Sequence, residues 1–475
     1  MEFNLPFTLP LGWDVKTVEC LIAEDILDKP LDGNHGGIHP KSSDYVKFGV
    51  PFIMASDLNN GAVDFGTCSF ISASQASQLQ KGFAKTGDVL LSHKATIGRT
   101  AIVQESEFDF IVLTPQITYY RIKNGLKLNN QYLKAYFDSS FFQGILGSWA
   151  GSGSTRAYLG ITAQLKLPII VPPIERQYAI AEQLFSINKK IDLNRQTNQT
   201  LEQIAQALFK SWFVDFEPTR AKIAAKEAGA SPEEIERAAM CAISGKTPDQ
   251  LAKLPPETQQ NLKTTAALFP DALVDSELGE IPAGWEVGTL ADLCRLNESS
   301  WSEKNAPEEV NYVDLANTKN GIIEEVQRYS WSDAPSRARR ILKAGDTIIG
   351  TVRPGNRSFT LIGTNEQVLT ASTGFAVLSP KKKEYVELLY IASTSNESID
   401  RLAHLADGGA YPAVRPDVVT QLEIVIPSND LIEIFSKLNR PVFTQLKDNL
   451  DENSTLKNLR DTLLPKLLSG EIVLN

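Results

Sequence analysis

The chain has 475 residues, of which 42% are hydrophobic and 22% charged, with a formal net charge of −10. This length predicts about two to four domains, no run approaches the roughly 18 apolar residues of a membrane helix, and MEFNLPFTLPLGW lacks the features of a secretory signal. The four cysteines are far apart, which fits neither a disulfide scaffold nor a Cys-x-x-Cys metal motif, so we expect a cytoplasmic protein with reduced thiols.

The first predicted unit begins with LPLGWDVKTVECL (9–21) and contains a Gly-Asp strand in KTGDVLLSHKATIGR (85–99). Around it, short alternating strands such as YVKFGVPFIMAS are broken by Gly, Asn, Asp and Pro turns, and a short helix is predicted from Asn130 to Ser140. These features predict an α+β fold. His35 and His39 have the spacing of a metal pair, but they lack a helical pattern and a ligand constellation, so we expect no metal site.

A β-rich run, TAQLKLPIIVPP (162–173), closes this unit, and a long helix is predicted to follow. Its apolar, small and Asn residues fall on alternating three- and four-residue steps, which is a heptad seam: Ile187, Ile191, Asn194, Asn198, Leu201, Ala205 and Leu208. A buried Asn costs stability but specifies register and partner. We infer that this helix pairs with another, the alternative being an exposed helix with its asparagines in solvent.

The segment from Asp215 to Glu280 is charged, rich in Ala and interrupted by Pro, which predicts a connector with short helices rather than a third core. It contains 12 acidic and 7 basic residues, so it carries −5 of the net charge of −10. An acidic chain argues against nucleic-acid binding, because phosphate contacts usually leave a basic footprint. Because half of the net negative charge lies in the connector, the acidity of the whole chain argues less strongly against nucleic-acid binding by the two units.

The chain then repeats itself. IPAGWEVGTLADL (281–293), KAGDTIIGTVRPGNR (343–357) and VTQLEIVIPS (419–428) match the three motifs of the first unit in the same order. The seam also recurs 255 residues further on, at Leu446, Asn449, Asn453, Leu456, Arg460 and Leu463. We predict two tandem pseudo-symmetric modules, each a strand-rich globular domain followed by a long helix, with the two helices paired as an antiparallel coiled coil.

Glycine-punctuated loops follow each Gly-Asp strand, and they carry side chains that are able to bind a nucleic acid. Arg and Lys can donate to guanine or phosphate, and Asn can make a bidentate pair with adenine. The candidates are His93, Lys94, Thr96 and Arg99 in the first module and Arg353, Asn356 and Arg357 in the second. Weaker candidates in nearby Gly-rich turns are Asn59, Arg156, Lys319 and Tyr411. Solvated turn residues that touch at most phosphate are the alternative.

Several motifs together resemble the specificity subunit of type I restriction–modification systems, over essentially the whole chain. They are GWDVKTV, GDVLLSHKATIGR, LPIIVPPIERQYAIAEQ, QALFKSWFVDFEP, LFPDALVDSELGEIPAGWEVGTL and LRDTLLPKLLSGEI. The resemblance implies two target-recognition domains, each reading one half of a bipartite, asymmetric DNA site whose spacer the two long helices measure. It also implies two modification (methyltransferase) subunits and restriction (translocase–nuclease) subunits as partners, which would hold S-adenosylmethionine, ATP and Mg²⁺.

The sequence itself offers no catalytic constellation. It lacks an Asn-Pro-Pro-Tyr-like tetrapeptide, and Gly245-Lys246-Thr247 lacks the leading glycine of a P-loop, since Met240 stands there. We therefore expect a non-catalytic DNA-recognition subunit that directs its partners. The competing hypotheses are an enzyme of another class, such as a nuclease, and a protein scaffold that uses the same two-module frame without reading DNA.

Large apolar residues near the ends of the two helices are candidates for docking two copies of a partner: Trp212, Phe213, Leu464 and Leu467. If they folded back, they would instead cap the coiled coil. The predicted segments are 1–155 and 281–406 for the recognition domains, 156–214 and 407–475 for the closing strands with their helices, and 215–280 for the connector.

Overall fold

The computed structural model describes residues 7–151, 158–363, 367–409 and 411–472. The chain divides into two compact units, one running up to Asn194 and resuming at Asp451, the other spanning Arg195–Leu450. Both divisions fall inside a long helix, and each unit has hydrophobic clusters of its own. Within the described residues, no helix is long and apolar enough to cross a membrane.

The first unit is rich in short strands. Its strands are β1 (Asp14–Thr17), β2 (Leu31–Asp32), β3 (Tyr45–Val46), β4 (Val50–Ile53), β5 (Leu58–Asn59), β6 (Ala62–Val63), β7 (Ser69–Ile71), β8 (Phe83–Ala84), β9 (Val89–Lys94), β10 (Thr96–Ile102), β11 (Ile111–Leu113), β12 (Ile117–Tyr120) and β13 (Pro168–Val171). Its helices are α1 (Val18–Ala23), α2 (Ala73–Ala76), α3 (Asn130–Asp138), α4 (Ser140–Ala150), α5 (Ile161–Gln164) and the first part of α6 (Ile174–Phe213).

Three sheets organise this unit: the antiparallel pair β1-β13, a six-stranded sheet in the order β2-β12-β9-β10-β6-β5, and a five-stranded sheet in the order β3-β7-β4-β11-β8. β9 lies between β12 and β10, so both of its edges are paired and its residues from Val89 to His93 are buried. The Gly-Asp motif makes the turn into β9, since Gly87 has a φ of 88° and the Asp88 carboxylate accepts from the Lys85 N–H at 2.8 Å.

The second unit begins in the last part of α6 and continues through the connector, which forms α7 (Glu217–Glu227), α8 (Pro232–Ser244), α9 (Pro248–Leu251) and α10 (Pro256–Ala267). Its strands are β14 (Leu273–Ser276), β15 (Gly279–Pro282), β16 (Glu286–Thr289), β17 (Cys294–Leu296), β18 (Glu309–Val313), β19 (Thr318–Lys319), β20 (Ile322–Ile323), β21 (Gln327–Ser330), β22 (Ala338–Ile341), β23 (Thr347–Gly350), β24 (Phe359–Leu361), β25 (Leu369–Ser372), β26 (Phe375–Pro380) and β27 (Glu423–Ile426). Its other helices are α11 (Leu290–Leu293), α12 (Val386–Thr394), α13 (Asn396–Leu405), α14 (Pro416–Thr420) and the first part of α15 (Asn429–Ser469).

The sheets of the second unit repeat those of the first, although the sequences between the shared motifs have diverged. β16-β27 matches β1-β13, β26-β23-β24 matches β12-β9-β10, and β21-β18-β25-β22 matches β7-β4-β11-β8. In both units the central pair of the last sheet is parallel and the strand that follows is antiparallel. The predicted α+β fold with two tandem modules is confirmed.

The two long helices run antiparallel within each unit. In the first, Arg460 of α15 donates to Asn188 of α6, while Asn453, about two helical turns before Arg460, lies against Asn194. In the second, Phe209 of α6 contacts Phe435 of α15, and Asn198 contacts Asn449 further along. The residues advance along one helix as they recede along the other, which is the antiparallel pairing that the seam predicts.

Candidate nucleic-acid interface

In the first unit, the hairpin between β9 and β10 carries three exposed candidates. Lys94 ends β9, Ala95 turns the chain with a φ of 66°, and Thr96 begins β10, so Lys94 and Thr96 stand at the tip. The strand register then shifts between Ile97 and Thr100, a bulge that re-aims the intervening side chains. Arg99 leaves the hairpin at this bulge, and its guanidinium donates to the Ala55 carbonyl at 3.1 Å.

The equivalent loop of the second unit joins shorter strands, and its backbone is more strained. After β23, Arg353 has a φ of 48°, Pro354–Asn356 make one 3₁₀ turn, and Arg357 has a φ of 60°. Left-handed backbone is unfavourable for bulky residues, and such positions cluster at functional sites. Both arginines are therefore held by the loop in conformations that their own backbone preference does not favour.

Each unit also places a tyrosine under the cation of this loop. Lys94 Nζ lies 5.9 Å from the ring centroid of Tyr158, and the Arg353 guanidinium lies 4.7 Å from that of Tyr411. Both rings are solvent-exposed, Tyr411 by 72%. Stacking on an aromatic face stabilises a cation at the surface, and a planar guanidinium carries several donors that suit it to nucleic-acid recognition.

A second turn lies beside each loop. Asn59 and Lys319 precede the sequences Asn60-Gly61 and Asn320-Gly321, and all four turn residues have positive φ. In the second unit the Asn320 N–H donates to the Arg357 carbonyl at 2.9 Å, and Arg357 Nε donates to Asn320 Oδ1 at 3.2 Å. In the first, Arg99 reaches the residues before the turn at Ala55. Candidates that are distant in sequence thus come together in both units.

One candidate, His93, lies away from these loops. His93 is fully buried, because it faces inward from the central strand β9, and its Nδ1 lies 3.0 Å from the Leu159 carbonyl. Burial lowers the pKa of this imidazole, so it is neutral at physiological pH and does not present a cation to solvent. Arg156 lies outside the described residues. Tyr158, which the sequence reasoning missed, follows Arg156 by two positions in the sequence.

The four seam asparagines are buried and form two hydrogen-bonded pairs, one in each unit. Asn194 Nδ2 donates to Asn453 Oδ1 at 3.0 Å and to Glu452 at 2.7 Å. The pair 255 residues displaced is built alike, since Asn449 Nδ2 donates to Asn198 Oδ1 at 2.7 Å. The remaining seam residues line the same faces: Ile191, Ala205 and Leu446 are buried, and Ile187, Leu201, Leu208, Leu456 and Leu463 are partly buried.

The residues expected to dock a partner are in the interior. Trp212 and Phe213 pack in an aromatic cluster with Phe269 and Phe435, and Leu464 and Leu467 belong to the main core of the first unit. The structure corresponds to the alternative in which these side chains fold back. Exposed apolar groups do occur at two equivalent helix positions, Ile204 on α6 at 53% exposure and Leu459 on α15 at 50%.

Among the described residues, no group of three or more His, Cys, Asp and Glu side chains is arranged to hold a metal ion. What the surfaces offer is hydrogen-bond donors: Lys94, Thr96 and Arg99 in one unit, and Lys319, Arg353, Asn356 and Arg357 in the other. Such donors can recognise phosphate and base edges.

Comparison with known proteins bears on these surfaces. The family model of the type I restriction modification DNA specificity domain matches residues 17–203. The chain is 30% identical over 444 residues to the type I restriction enzyme HindI specificity subunit of Haemophilus influenzae, covering 89% of this chain and 94% of that one. It is 23% identical over 486 residues to the MjaIX specificity subunit of Methanocaldococcus jannaschii, covering 98% and 94%. A crystal structure of the S subunit from M. genitalium aligns with a TM-score of 0.46 and 15% identity over 98% of each chain.

Proposed function

Because the chain belongs to the specificity subunits of type I restriction–modification enzymes, we propose that it reads a bipartite, asymmetric DNA sequence and directs methylation or cleavage by partner subunits. The observation that carries this proposal is the duplicated donor surface. Each unit presents cations on a strained or bulged loop after the Gly-Asp strand, beside a second turn and over a tyrosine. Chemistry on the DNA then belongs to the partners.

The two surfaces differ in their donors, which supports two different half-sites. The first offers Lys94, Thr96 and Arg99, with Asn59 nearby. The second offers Arg353, Asn356 and Arg357, with Lys319 nearby. Arg can bind guanine O6 and N7 bidentately and Asn can do the same for adenine N6 and N7, whereas the Lys ammonium is a point charge without a planar fork. The arginine of the first surface, Arg99, already donates to the Ala55 carbonyl. We therefore assign more direct base reading to the second unit and more phosphate positioning to the first.

The partners follow from the family. We infer that two modification subunits and the restriction subunits bind this chain, that they hold S-adenosylmethionine, ATP and Mg²⁺, and that the complex works in the cytoplasm, where its DNA is. Ile204 and Leu459 support two equivalent contacts for the modification subunit, because they are exposed apolar groups separated by the same 255 residues as the helix seam.

The decisive experiment is to co-express the chain with its modification subunit and determine the methylated motif in cellular DNA. We expect two specific half-sites separated by a spacer of fixed length, and DNA binding that weakens strongly with salt. Exchanging residues 15–155 for those of a relative should change one half-site only. A complex without any bipartite motif would overturn the proposal in favour of a scaffold, and a change in both half-sites would overturn the assignment of one half-site to each unit.

A further inference from the structure

A carboxyl group of the long helix α6 lies directly beneath the second turn of the second unit. Glu202 Oε1 accepts from the Tyr390 hydroxyl of α12 at 3.4 Å. The turn glycine, Gly321, approaches both groups so closely that a Cβ there would lie 2.8 Å from Glu202 Oε1 and 3.1 Å from the Tyr390 hydroxyl. The backbone of the turn therefore rests on the Glu202–Tyr390 pair.

The same turn is bonded to the loop that carries Arg357. The Asn320 N–H donates to the Arg357 carbonyl at 2.9 Å, and Arg357 Nε donates back to Asn320 Oδ1 at 3.2 Å. The Gly321 N–H donates to the Phe359 carbonyl at 2.9 Å, while Thr360 Oγ1 donates to the Gly321 carbonyl at 2.7 Å. A displacement of the turn by its support would thus be transmitted to Arg357.

The charge on Glu202 responds to its surroundings. Burial raises its pKa to about 7, although the Tyr390 hydroxyl and the positive Arg357 oppose this rise. Burial and the carboxyl also raise the pKa of Tyr390, so the phenol stays neutral. These two side chains are the titratable groups that face Glu202 from α12 and from the loop. Near neutral pH the carboxyl is therefore divided between its two protonation states.

We propose that Glu202 is a positioning residue of the second reading surface, through which α6 supports the turn 319–321 and the side chain of Arg357 for contact with DNA. The inference rests on the proposed function. An ionised Glu202 attracts the Arg357 guanidinium towards the helix and adds negative charge near the phosphates. A protonated Glu202 does neither, so DNA binding takes up a proton, and binding at the second half-site weakens as the pH rises through 7.

The first unit carries different groups at the equivalent places. The residue 255 positions after Glu202 is Lys457, and the residue matching Tyr390 is Lys134, which lies against Gly61 and pairs with Asp138 at 2.7 Å. Both places are thus occupied by a lysine instead of a carboxyl or phenol group. The pH dependence should therefore belong to the second half-site and not to the first.

The test uses the complex with the modification subunit and duplexes that carry the intact target or one scrambled half-site, with affinity measured at constant ionic strength from pH 6 to pH 8.5. If DNA binding raises the pKa of Glu202 from about 7 to between about 7.5 and 8, wild-type affinity for the intact target should fall about 3- to 7-fold across this range. E202Q should bind at every pH as tightly as wild type does at pH 6. The same change at an exposed acid of α6, E182Q, should keep the wild-type slope.

Tyr390→Phe gives an independent check, because it removes a donor to the carboxylate and should move the pH midpoint upward. Scrambling the second half-site should abolish the slope, and scrambling the first should leave it. Retention of the wild-type slope in E202Q, or a flat profile in wild type that still prefers the intact target, would overturn this inference alone. Failure of the wild-type complex to prefer any bipartite duplex would instead overturn the proposed function.

Discussion

The two units share one arrangement of strands and turns but place different charged groups on it. Asp88 and Asp346 occupy the same turn, and each accepts from the backbone N–H three residues before it at 2.8 Å. In the first unit Arg121 binds Asp88 at 2.9 and 2.7 Å, whereas the residue 258 positions later, Ser379, bonds to Asp346 instead. The bond from the backbone to the aspartate is retained in both units, whereas its side-chain partner is a charged guanidinium in the first and a neutral hydroxyl in the second.

The cation–tyrosine pairs teach a related lesson, because they occupy positions that do not correspond. The bridge Lys94–Tyr158 of the first unit matches the bridge Val352–Ala413 of the second. The second unit nevertheless stacks Arg353 on Tyr411. Arg353 lies one residue after Val352, and Tyr411 lies two residues before Ala413. The same physical arrangement is reached from different positions, which indicates that it serves the surface rather than the frame.

The largest expected effect concerns the shared turn. Asp88→Asn should cost the first unit about 2–4 kcal/mol of unfolding free energy, because it leaves the Arg121 guanidinium partly buried without its partner. Asp346→Asn should cost less than about 1 kcal/mol, since an amide can still accept from the backbone and Ser379 is neutral. Denaturant unfolding with hydrogen exchange of β9 and β23 would measure both.

The stability contribution of Asp346 should also depend on pH. Burial raises the pKa of Asp346, so the folded state binds its proton more tightly than the unfolded state does. Its contribution to stability is therefore lost as the pH rises from the unfolded pKa, about 3.9, through the raised folded value. Asp346→Asn should remove this dependence. If Asp88→Asn and Asp346→Asn lowered the free energy of unfolding equally, the charge of the partner, Arg121 or Ser379, would not explain the difference between the two units.

The next largest effect concerns the seam. Asn198→Ala should cost about 1–3 kcal/mol, because the buried Nδ2 of Asn449 loses its acceptor. Asn194→Ala should cost less, because the Glu452 carboxylate, one of the acceptors of Asn194, is exposed and can be hydrated. Thermal unfolding of the two variants would compare them. A larger loss in the Asn194 variant would show that the two asparagine pairs are not energetically ordered in this way.

A smaller effect is expected on DNA affinity. Arg353→Ala should weaken binding to the intact target about 10-fold and have little effect once the second half-site is scrambled, because an arginine donor discriminates bases. Lys94→Ala should weaken binding about 3-fold on every duplex and reduce the salt dependence, as expected for a phosphate contact. Anisotropy titrations of the complex would measure both. The assignment fails if Lys94, and not Arg353, discriminates between half-sites.

The smallest effect should come from the aromatic support. Tyr158→Leu should weaken DNA binding by less than about 2-fold, because it removes the ring face beneath the Lys94 ammonium but keeps the ammonium itself, and Tyr158→Phe should preserve the affinity. Tyr411→Leu and Tyr411→Phe are the matched pair in the second unit. If Phe were as harmful as Leu at either position, the hydroxyl rather than the ring face would be the important group.

The sequence predicts the frame because the frame depends on local rules. The glycines at 87 and 345 predict turns, and the prolines after the last strands predict where the long helices begin. The spacing of the seam asparagines predicts the helix pairing: Asn194, Asn198, Asn449 and Asn453. The sites depend on tertiary packing, which spacing does not contain. His93 could be placed in a strand but not on its buried face, and Glu202 could be placed on a helix but not beneath Gly321, more than a hundred residues away.

The pairing of β1 with β13 has a consequence for how such a chain can change. Where β1 ends, the Val18 N–H donates to the Leu167 carbonyl at 3.1 Å, and in the second unit the Leu290 N–H donates to the Leu422 carbonyl at 3.0 Å. The chain thus leaves the frame and returns to it at neighbouring points. A segment whose ends are already held together can be replaced or lengthened at little cost in loop-closure entropy. Recombination at these two points could exchange a complete reading surface as a single cassette, leaving the strand pair and the asparagine seam untouched.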